Sequence, residues 1–529
     1  MPMARLGTLV DSACALVAVA LLCAPGMGLA QSGSPLSAID WLRQSGSAPQ
    51  PGAYPVTPPN AGADAGAISV RALDALRPEA VGLYPAARVG LPEAIWGPTP
   101  AGTLADLILD LPTDMLPALR DLSLRLLLAE FTAPLPTAGA LSASPDFLLA
   151  RIDKLVEFGA LDQAAALLDT LDSPEPVLRL RRFDIGLLLG DEHAACPPVL
   201  RPEPPIGDDA ALVFCLSRAG EWDAADARLV AATESGRIAP YLADLLAQFL
   251  NDEDSLPGAV TLLPPPAGTP EPLTWRLREA TGDAIPTLGL PVAYAHADLR
   301  GTIGWRAQIE SAERLVRAGA LPPNRLLGLY TERRAAASGG IWERVSAVQA
   351  LDTALRANDA EAAGRALVAA WPLIQAGELE VAAADLFGRA LGQMALPPDA
   401  RAIAFRMGLL TNDYELVALG LDPGRASPED AFLAALARGT DPARAGEMPG
   451  ELAEAVALAF GPEPPLPDGL ADRLAQGRLG EEILRTLADL GGPGDPRLLA
   501  QGLAALRAMG LEDAARQVAL QSLLLERRG

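Results

Sequence analysis

Apolar positions recur at helical spacing along most of the chain from Thr103 onward. The clearest case is the segment 147–171, where the recurring apolar residues are Leu148, Ile152, Leu155, Leu161, Ala164 and Leu168. Spacings of three and four residues place these side chains on facing stripes of two helices joined near Gly159. Runs that alternate Val, Ile, Thr, Tyr or Phe with polar residues are almost absent, and strands need such runs. The pattern therefore predicts an all-α fold.

A short phrase returns at the bends between these predicted helices. Its four copies begin at Gly159, Gly220, Asn358 and Asn412, and each has a small apolar residue five positions later. Gly and Asn are suited to the left-handed residue that ends a helix. The small residue lets the next helix pack closely. Hairpins of this kind cannot bury their apolar faces alone, so we expect them to stack into an α-solenoid.

At these phrases the chain resembles the tetratricopeptide-like family of helical hairpins. Trp222 and Ala225 follow Gly220 at the family's spacing. The interval from Gly159 to Gly220 departs from the family's repeat of about 34 residues unless a weaker hairpin at Gly190 is counted. What the resemblance implies is a scaffold that holds a peptide or a partner domain on its concave face.

The N-terminus is typical of an export signal. Arg5 precedes an apolar stretch, 12–24, and Gly28-Leu29-Ala30 has the small-x-small cleavage pattern. We predict cleavage after Ala30 and a periplasmic or secreted protein. The alternative is an uncleaved anchor, but the apolar stretch is shorter than the roughly 20 residues that span a bilayer. No transmembrane anchor is expected in the mature chain.

Proline and glycine suggest the organisation of the rest of the chain. We assign 1–30 to a signal peptide and 31–98 to a Pro/Gly/Ala-rich linker with an irregular segment. Helical patterning then predicts a first helical-repeat array at 99–255 and a second at 301–529. The Pro-rich stretch 256–300 between them is a predicted break, because proline removes backbone donors and restricts the residue before it.

The chain is strongly acidic, with a formal net charge of −24 and a pI near 4.5. Its 42 basic residues are scattered rather than gathered on one predicted face. A phosphate backbone would be repelled by such a surface, so the composition argues against nucleic-acid binding.

Two cysteines remain once the signal peptide is removed. Cys196 lies at the end of one predicted hairpin and Cys215 lies in the first helix of the next. Neighbouring helices of a stack bring such residues close, and the periplasm is oxidising, so we predict a disulfide. The alternative is a pair of buried free thiols that behave as small apolar residues.

Two further stretches are candidates for partner binding. Ser338, Gly339 and Gly340 precede a predicted helix and would leave backbone N–H groups free for an anion, although an ordinary helix cap has the same pattern. Trp41 lies in a short helical island of the linker and is a residue type that often anchors interfaces. The alternative for Trp41 is docking on the protein's own body or no docking.

Residue patterns that carry chemistry are hard to find. His193 and His296 are the only histidines, and neither has a second ligand at metal-binding spacing. The sequence has no Walker-type phosphate loop or nucleophile elbow. We therefore expect a non-catalytic scaffold, without a cofactor, that binds a protein or a cell-envelope partner. The alternative is a cell-wall-associated enzyme or wall-binding protein whose site is not recognisable from sequence.

Overall fold

The computed structural model describes residues 78–137, 145–171, 175–201, 203–251, 263–335, 339–492 and 494–525. All of them belong to one compact unit, Leu73–Gly529. The fold is all-α, as predicted. In the described ranges the β-structure is limited to a parallel pair of two-residue strands, β1 (Tyr84–Pro85) and β2 (Ala129–Glu130), and one isolated bridge.

The helices of the first half follow one another at short intervals. They are α1 (Ala101–Leu109), α2 (Pro117–Leu128), α3 (Asp146–Glu157), α4 (Leu161–Asp169), α5 (Pro176–Leu189), α6 (Glu192–Leu200), α7 (Asp209–Arg218), α8 (Trp222–Glu234), α9 (Pro240–Leu250) and α10 (Pro272–Ala280). Short 3-10 helices lie at Pro78–Ala80, Ala86–Val89, Thr287–Gly289 and Val292–Leu299.

The second half continues in the same manner. Its helices are α11 (Trp305–Arg317), α12 (Pro323–Glu332), α13 (Ile341–Arg356), α14 (Ala360–Ala376), α15 (Glu380–Gly392), α16 (Pro398–Gly408), α17 (Tyr414–Leu419), α18 (Pro428–Ala437), α19 (Pro442–Ala445), α20 (Glu451–Phe460), α21 (Leu470–Ala475), α22 (Leu479–Leu490), α23 (Pro496–Ala508) and α24 (Glu512–Leu524). In the part of the chain that the structure describes, no helix combines the length and the hydropathy needed to cross a membrane.

The bends confirm three of the four predicted left-handed residues. Gly159, Gly220 and Asn358 have φ of 75°, 83° and 52°. Asn412 does not adopt a positive φ, so the prediction was wrong there. The reason is local, because the bend closes earlier: the N–H of Thr411 donates to the Gly408 carbonyl, and the Thr411 hydroxyl accepts from the N–H of Asp413.

Consecutive helices pack in pairs, and the stack also closes on itself. The pairs with extensive contact include α5–α6, α7–α8, α13–α14, α15–α16 and α23–α24. In addition, α1 packs against α22, and α2 packs against α22 and α24. One buried apolar cluster accordingly contains side chains from both ends of the array, such as Leu119 and Leu520. The first and the last helices of the array therefore bury each other's apolar faces.

A seam between residues 95–99 and 477–485 completes this closure. The N–H of Gly480 donates to the Ile95 carbonyl at 2.9 Å, and the Thr99 hydroxyl donates to the buried carboxylate of Glu481 at 2.8 Å. Burial raises the pKa of Glu481, but hydrogen bonds from Arg485 and Thr99 outweigh burial and hold that pKa below its ordinary value. The buried charge is therefore paired, as burial requires.

The seam leaves no room for a side chain at one point. A Cβ on Gly480 would lie 2.5 Å from the Trp96 ring. Trp96 is itself buried and makes edge-to-face contacts with Phe131 and Phe147, with ring centroids 5.4 Å and 5.2 Å away. A glycine at position 480 is what allows the indole to pack against α22.

The described part of the Pro-rich stretch is folded against the first helices. Trp275 of α10 and Tyr294 of the 3-10 helix Val292–Leu299 are buried in edge-to-face contact, 5.8 Å apart. Both belong to the apolar cluster that contains the cores of α3 and α4. The predicted division into two helical-repeat arrays, 99–255 and 301–529, stays a prediction.

The predicted disulfide is present. Cys196 of α6 and Cys215 of α7 are bonded, with their Cα atoms 5.2 Å apart. Helix α6 continues through Pro197 and Pro198 to Leu200, further than the proline pair suggests. The bond joins the middle of α6 to the second half of α7.

Candidate functional site

The residues that sequence predicts for partner binding are only partly described by the structure. Trp41 and Ser338 lie outside the described residues. Gly339 and Gly340 have φ of 94° and 55° and precede α13. A Cβ built on either glycine would meet no atom within 4 Å, so both face open space.

A pair of tryptophans lies beside these glycines. The N–H of Trp342 donates to the Gly339 carbonyl at 3.2 Å, and the Trp342 ring lies 4.9 Å from that of Trp305. Both tryptophans are half-buried. The Trp305 ring N–H is used internally, because it donates to the Leu329 carbonyl at 3.0 Å. The pair presents aromatic surface next to a glycine turn.

A large concave surface lies elsewhere, between α15, α16 and α17. We call it the groove; it has a volume of about 1320 Å³. Its apolar lining includes Leu391, Ala404, Phe405, Leu416 and Val417.

Two glycines allow the helices of the groove to approach one another. A Cβ on Gly408 would lie 2.9 Å from Val417, and a Cβ on Gly388 would lie 3.0 Å from Thr411. Small residues at these points keep the helices close. They also leave the surface concave.

Helix α17 has apolar side chains on two faces. Tyr414 and Ala418 are buried, and the Tyr414 hydroxyl donates to Asp513 of α24 at 2.7 Å. Leu416 and Leu419 point away and are 69% and 66% exposed. One face of α17 therefore belongs to the core, and the other presents leucines to solvent beside the groove.

Charged residues surround the apolar lining. Arg389 pairs with Asp413 at 2.7 Å, and Arg401 donates to the Leu396 carbonyl at 2.8 Å. An apolar interior with a polar rim is the usual composition of a binding surface.

A second, smaller cavity adjoins the groove. Its volume is about 410 Å³, and its lining residues come from α2, α4, α11, α15 and α24 and from the bends around residues 319–323 and 412. Helices from both ends of the array thus meet at this cavity. Asp385 and Asn412 line the cavity and the groove alike, so the two spaces are continuous or adjacent at these residues.

Asp385 borders both spaces, and its surroundings disfavour the ionised carboxylate. Partial burial in the concave surface and the nearby Asp121 carboxylate raise the pKa of Asp385 above its ordinary value. The side chain is still accessible to solvent. These two observations are compatible, because neighbouring protein can remove part of a hydration shell without covering the carboxylate.

Neither histidine takes part in these surfaces. His296 is buried, its Nε2 lies 2.7 Å from the Gly159 carbonyl, and burial lowers its pKa. His193 is exposed at the start of α6. Within the described ranges, no group of three or more His, Cys, Asp or Glu side chains is placed to hold a metal ion.

Sequence reasoning missed the groove and the cavity. One indication was available at α17: Tyr414 and Ala418 are one turn apart, whereas Leu416 and Leu419 lie on another face. The core buries one apolar face of a six-residue helix, so a second apolar face on the same helix is a candidate contact surface. The cavity left no such indication, because its residues are distant in sequence.

Comparison of the chain with family models, curated proteins and solved structures finds no match. The resemblance to tetratricopeptide-like hairpins thus rests on the local phrases alone.

Proposed function

We propose that this protein is a non-catalytic helical-repeat scaffold that binds a segment of a partner protein in the groove. The observation that carries the proposal is the groove itself, with its apolar lining, its charged rim and the exposed leucines of α17. Exposed contiguous apolar surface rimmed by polar residues commonly marks an interaction site.

The dimensions of the groove favour a peptide over a small molecule. Pockets for small ligands have volumes of roughly 300–1,000 Å³. The groove is larger, about 1320 Å³, and is bounded by helices rather than enclosed. An amphipathic helix or an extended segment would lay its apolar side chains along such a surface.

We further propose that the protein acts in the periplasm or outside the cell. The Cys196–Cys215 disulfide supports this location, because disulfides form and persist in oxidising compartments. Sequencing the N-terminus of the mature protein tests the predicted cleavage after Ala30. A mature chain that begins at Met1 would contradict it.

A peptide-display selection on the purified mature protein tests groove binding. Peptides that survive selection would be measured by fluorescence anisotropy against the wild type and against Leu416→Glu/Leu419→Glu. We expect binding to weaken at least tenfold in the double variant, because two carboxylates would replace apolar contacts. The matched control is Leu288→Glu, which alters a leucine of equal exposure, 68%, in the 3-10 helix Thr287–Gly289. Peptides that bind both variants equally well, or a selection that yields none, would contradict the proposal.

The Trp305–Trp342 pair favours a second candidate function, binding of a cell-wall glycan. The two indole rings, tilted by 40° to one another, lie beside the open turn at Gly339 and Gly340, and an exposed indole face would stack on a sugar ring. Sedimentation with purified peptidoglycan tests this candidate. Retention that Trp342→Ala abolishes would support it, and retention equal to that of the wild type would exclude the pair as the site.

A further inference from the structure

Asp385 occupies an unusual position in the region proposed to bind a partner. It belongs to α15 and borders both the groove and the cavity. Among the described residues it has no hydrogen-bond or ion-pair partner, although Arg389 lies one helical turn further on. The Arg389 guanidinium pairs instead with Asp413, at 2.7 Å.

The basic groups around Asp385 are engaged elsewhere. On the cavity side, Arg120 donates to the Thr113 carbonyl, Arg125 pairs with Asp121, and Arg317 donates to the Gly377 carbonyl. Glu378 is the third acidic residue of the cavity lining, besides Asp121 and Asp385. On the groove side, Arg401 is held by the Leu396 carbonyl and Arg425 lies 3.5 Å from Asp422. In the described part of the chain, none of these basic groups pairs with Asp385.

The surroundings of Asp385 disfavour its ionised form. Partial burial is the larger cause and the Asp121 carboxylate is the second. A cation placed between the two carboxylates would oppose both effects. Hydrogen bonds between ionised partners are also about twice as strong as neutral ones.

We propose that Asp385 receives a cationic group of the bound segment, either a Lys or Arg side chain or an N-terminal ammonium, where the groove meets the cavity. This inference rests on the proposed function, because it assigns the chemistry of the segment that the groove binds. The partner segment is therefore apolar along the groove and basic at one position. The net charge of −24 favours the approach of a basic segment over an acidic one.

The test uses the peptides that display selects on the mature protein. We expect them to share a basic residue at one fixed distance from their apolar residues. Replacing that residue by Gln should weaken binding at least tenfold to the wild type and leave binding to Asp385→Asn nearly unchanged. Asp399→Asn is the matched control, because it removes an exposed carboxyl at the start of α16 that lines neither the groove nor the cavity.

A pH series adds a second readout. Affinity for the basic peptide should fall as the pH is lowered and Asp385 takes up a proton, whereas Asp385→Asn should lose this dependence. Thermal melts establish that Asp385→Asn is folded; we expect no loss, since the substitution removes an unpaired charge.

The outcomes separate this inference from the proposed function. Peptides that depend on Leu416 and Leu419 but show no basic preference, or that bind Asp385→Asn as tightly as the wild type, would overturn the role of Asp385 and leave groove binding standing. If replacing the basic residue of the peptide by Gln weakened binding tenfold to both the wild type and Asp385→Asn, the cation would contact another residue. That result would also overturn the role of Asp385. A selection without groove-dependent peptides would overturn both.

Discussion

At both the seam and the groove a glycine allows close packing, but among the described residues the resulting apolar surface is covered only at the seam. At the seam, Gly480 lets Trp96 pack against α22, and the surface so formed is covered by the chain itself. In the groove, Gly408 lets α16 and α17 approach one another, but no described segment covers the apolar surface beside them.

The treatment of carboxylates differs in the same way. Glu481 at the seam is buried and accepts hydrogen bonds from Thr99 and Arg485, so its charge is compensated. Asp385 in the groove has no such partner among the described residues. The two ends of the array thus cover each other, whereas Leu416 and Leu419 beside the groove are exposed, and we propose that a partner covers them.

The largest expected effect is on stability, from removal of the Cys196–Cys215 disulfide. It tests whether the groove depends on this bond, which lies in another apolar cluster. Cys196 and Cys215 are separated by 19 residues, and closing a loop of that length stabilises by about 3 kcal/mol in the chain-entropy model. We expect Cys196→Ala/Cys215→Ala to lose about that much free energy of unfolding in urea titrations. Peptide affinity at the groove should not change.

The control for this prediction is thiol labelling of the mature, denatured and unreduced protein. No label should be incorporated if the disulfide is complete. Two labels per chain would contradict the bond, and a loss of groove affinity in the double variant would contradict the independence of the two regions.

A smaller loss is expected at the seam. Gly480→Ala would place a Cβ against the Trp96 ring, and overpacking of this kind costs about 2 kcal/mol. The matched control is Gly328→Ala in α12, where a Cβ would meet no atom within 4 Å. Because alanine is the better helix former, we expect the control to gain about 0.5 kcal/mol. Denaturant midpoints measure the stability of both variants. Equal changes in Gly480→Ala and Gly328→Ala would show that the close approach of Gly480 to Trp96 does not contribute to stability.

The third prediction concerns a carboxyl in the packed hairpins, in contrast to Asp385. Burial, with smaller contributions from Asp208, Glu271 and Asp153, raises the pKa of Asp184 to about 7. The unfolded side chain ionises near pH 4. Between these two values the folded protein binds more protons than the unfolded chain does. The contribution of Asp184 to stability is therefore complete below about pH 4 and is lost as the pH rises towards 7.

Asp184→Asn should remove this part of the pH dependence and stabilise the protein at pH 8. We expect an effect smaller than at Gly480, because the Asp184 side chain is 30% exposed and Arg181 lies 3.7 Å away. Urea midpoints from pH 4.5 to 8 measure the slope, with Asp399→Asn as the control for loss of a carboxyl. A slope unchanged in Asp184→Asn would show that another group is responsible.

Residues with a positive φ show which bends can be predicted from local sequence and which cannot. Gly159, Gly220 and Asn358 were predictable, because few other residues accept a positive φ at the end of a helix. Glu378 has φ of 53° at an equivalent bend and was not predicted. Nothing in its residue type indicates this conformation, which costs roughly 1–2 kcal/mol for an L-residue and is maintained by the packing of α14 and α15. Glu378 lines the cavity, where strained residues are often functional.

The sequence by itself determined the all-α class, three of the four bends marked by the recurring phrase and the Cys196–Cys215 pair, because these depend on spacing, on backbone preferences and on the contact of consecutive helices. Only the tertiary structure decided that α1 and α2 meet α22 and α24, and that Asp121 and Asp385 approach one cavity. Such contacts join residues hundreds of positions apart. They follow from how small deviations accumulate over many stacked hairpins, which no local pattern encodes.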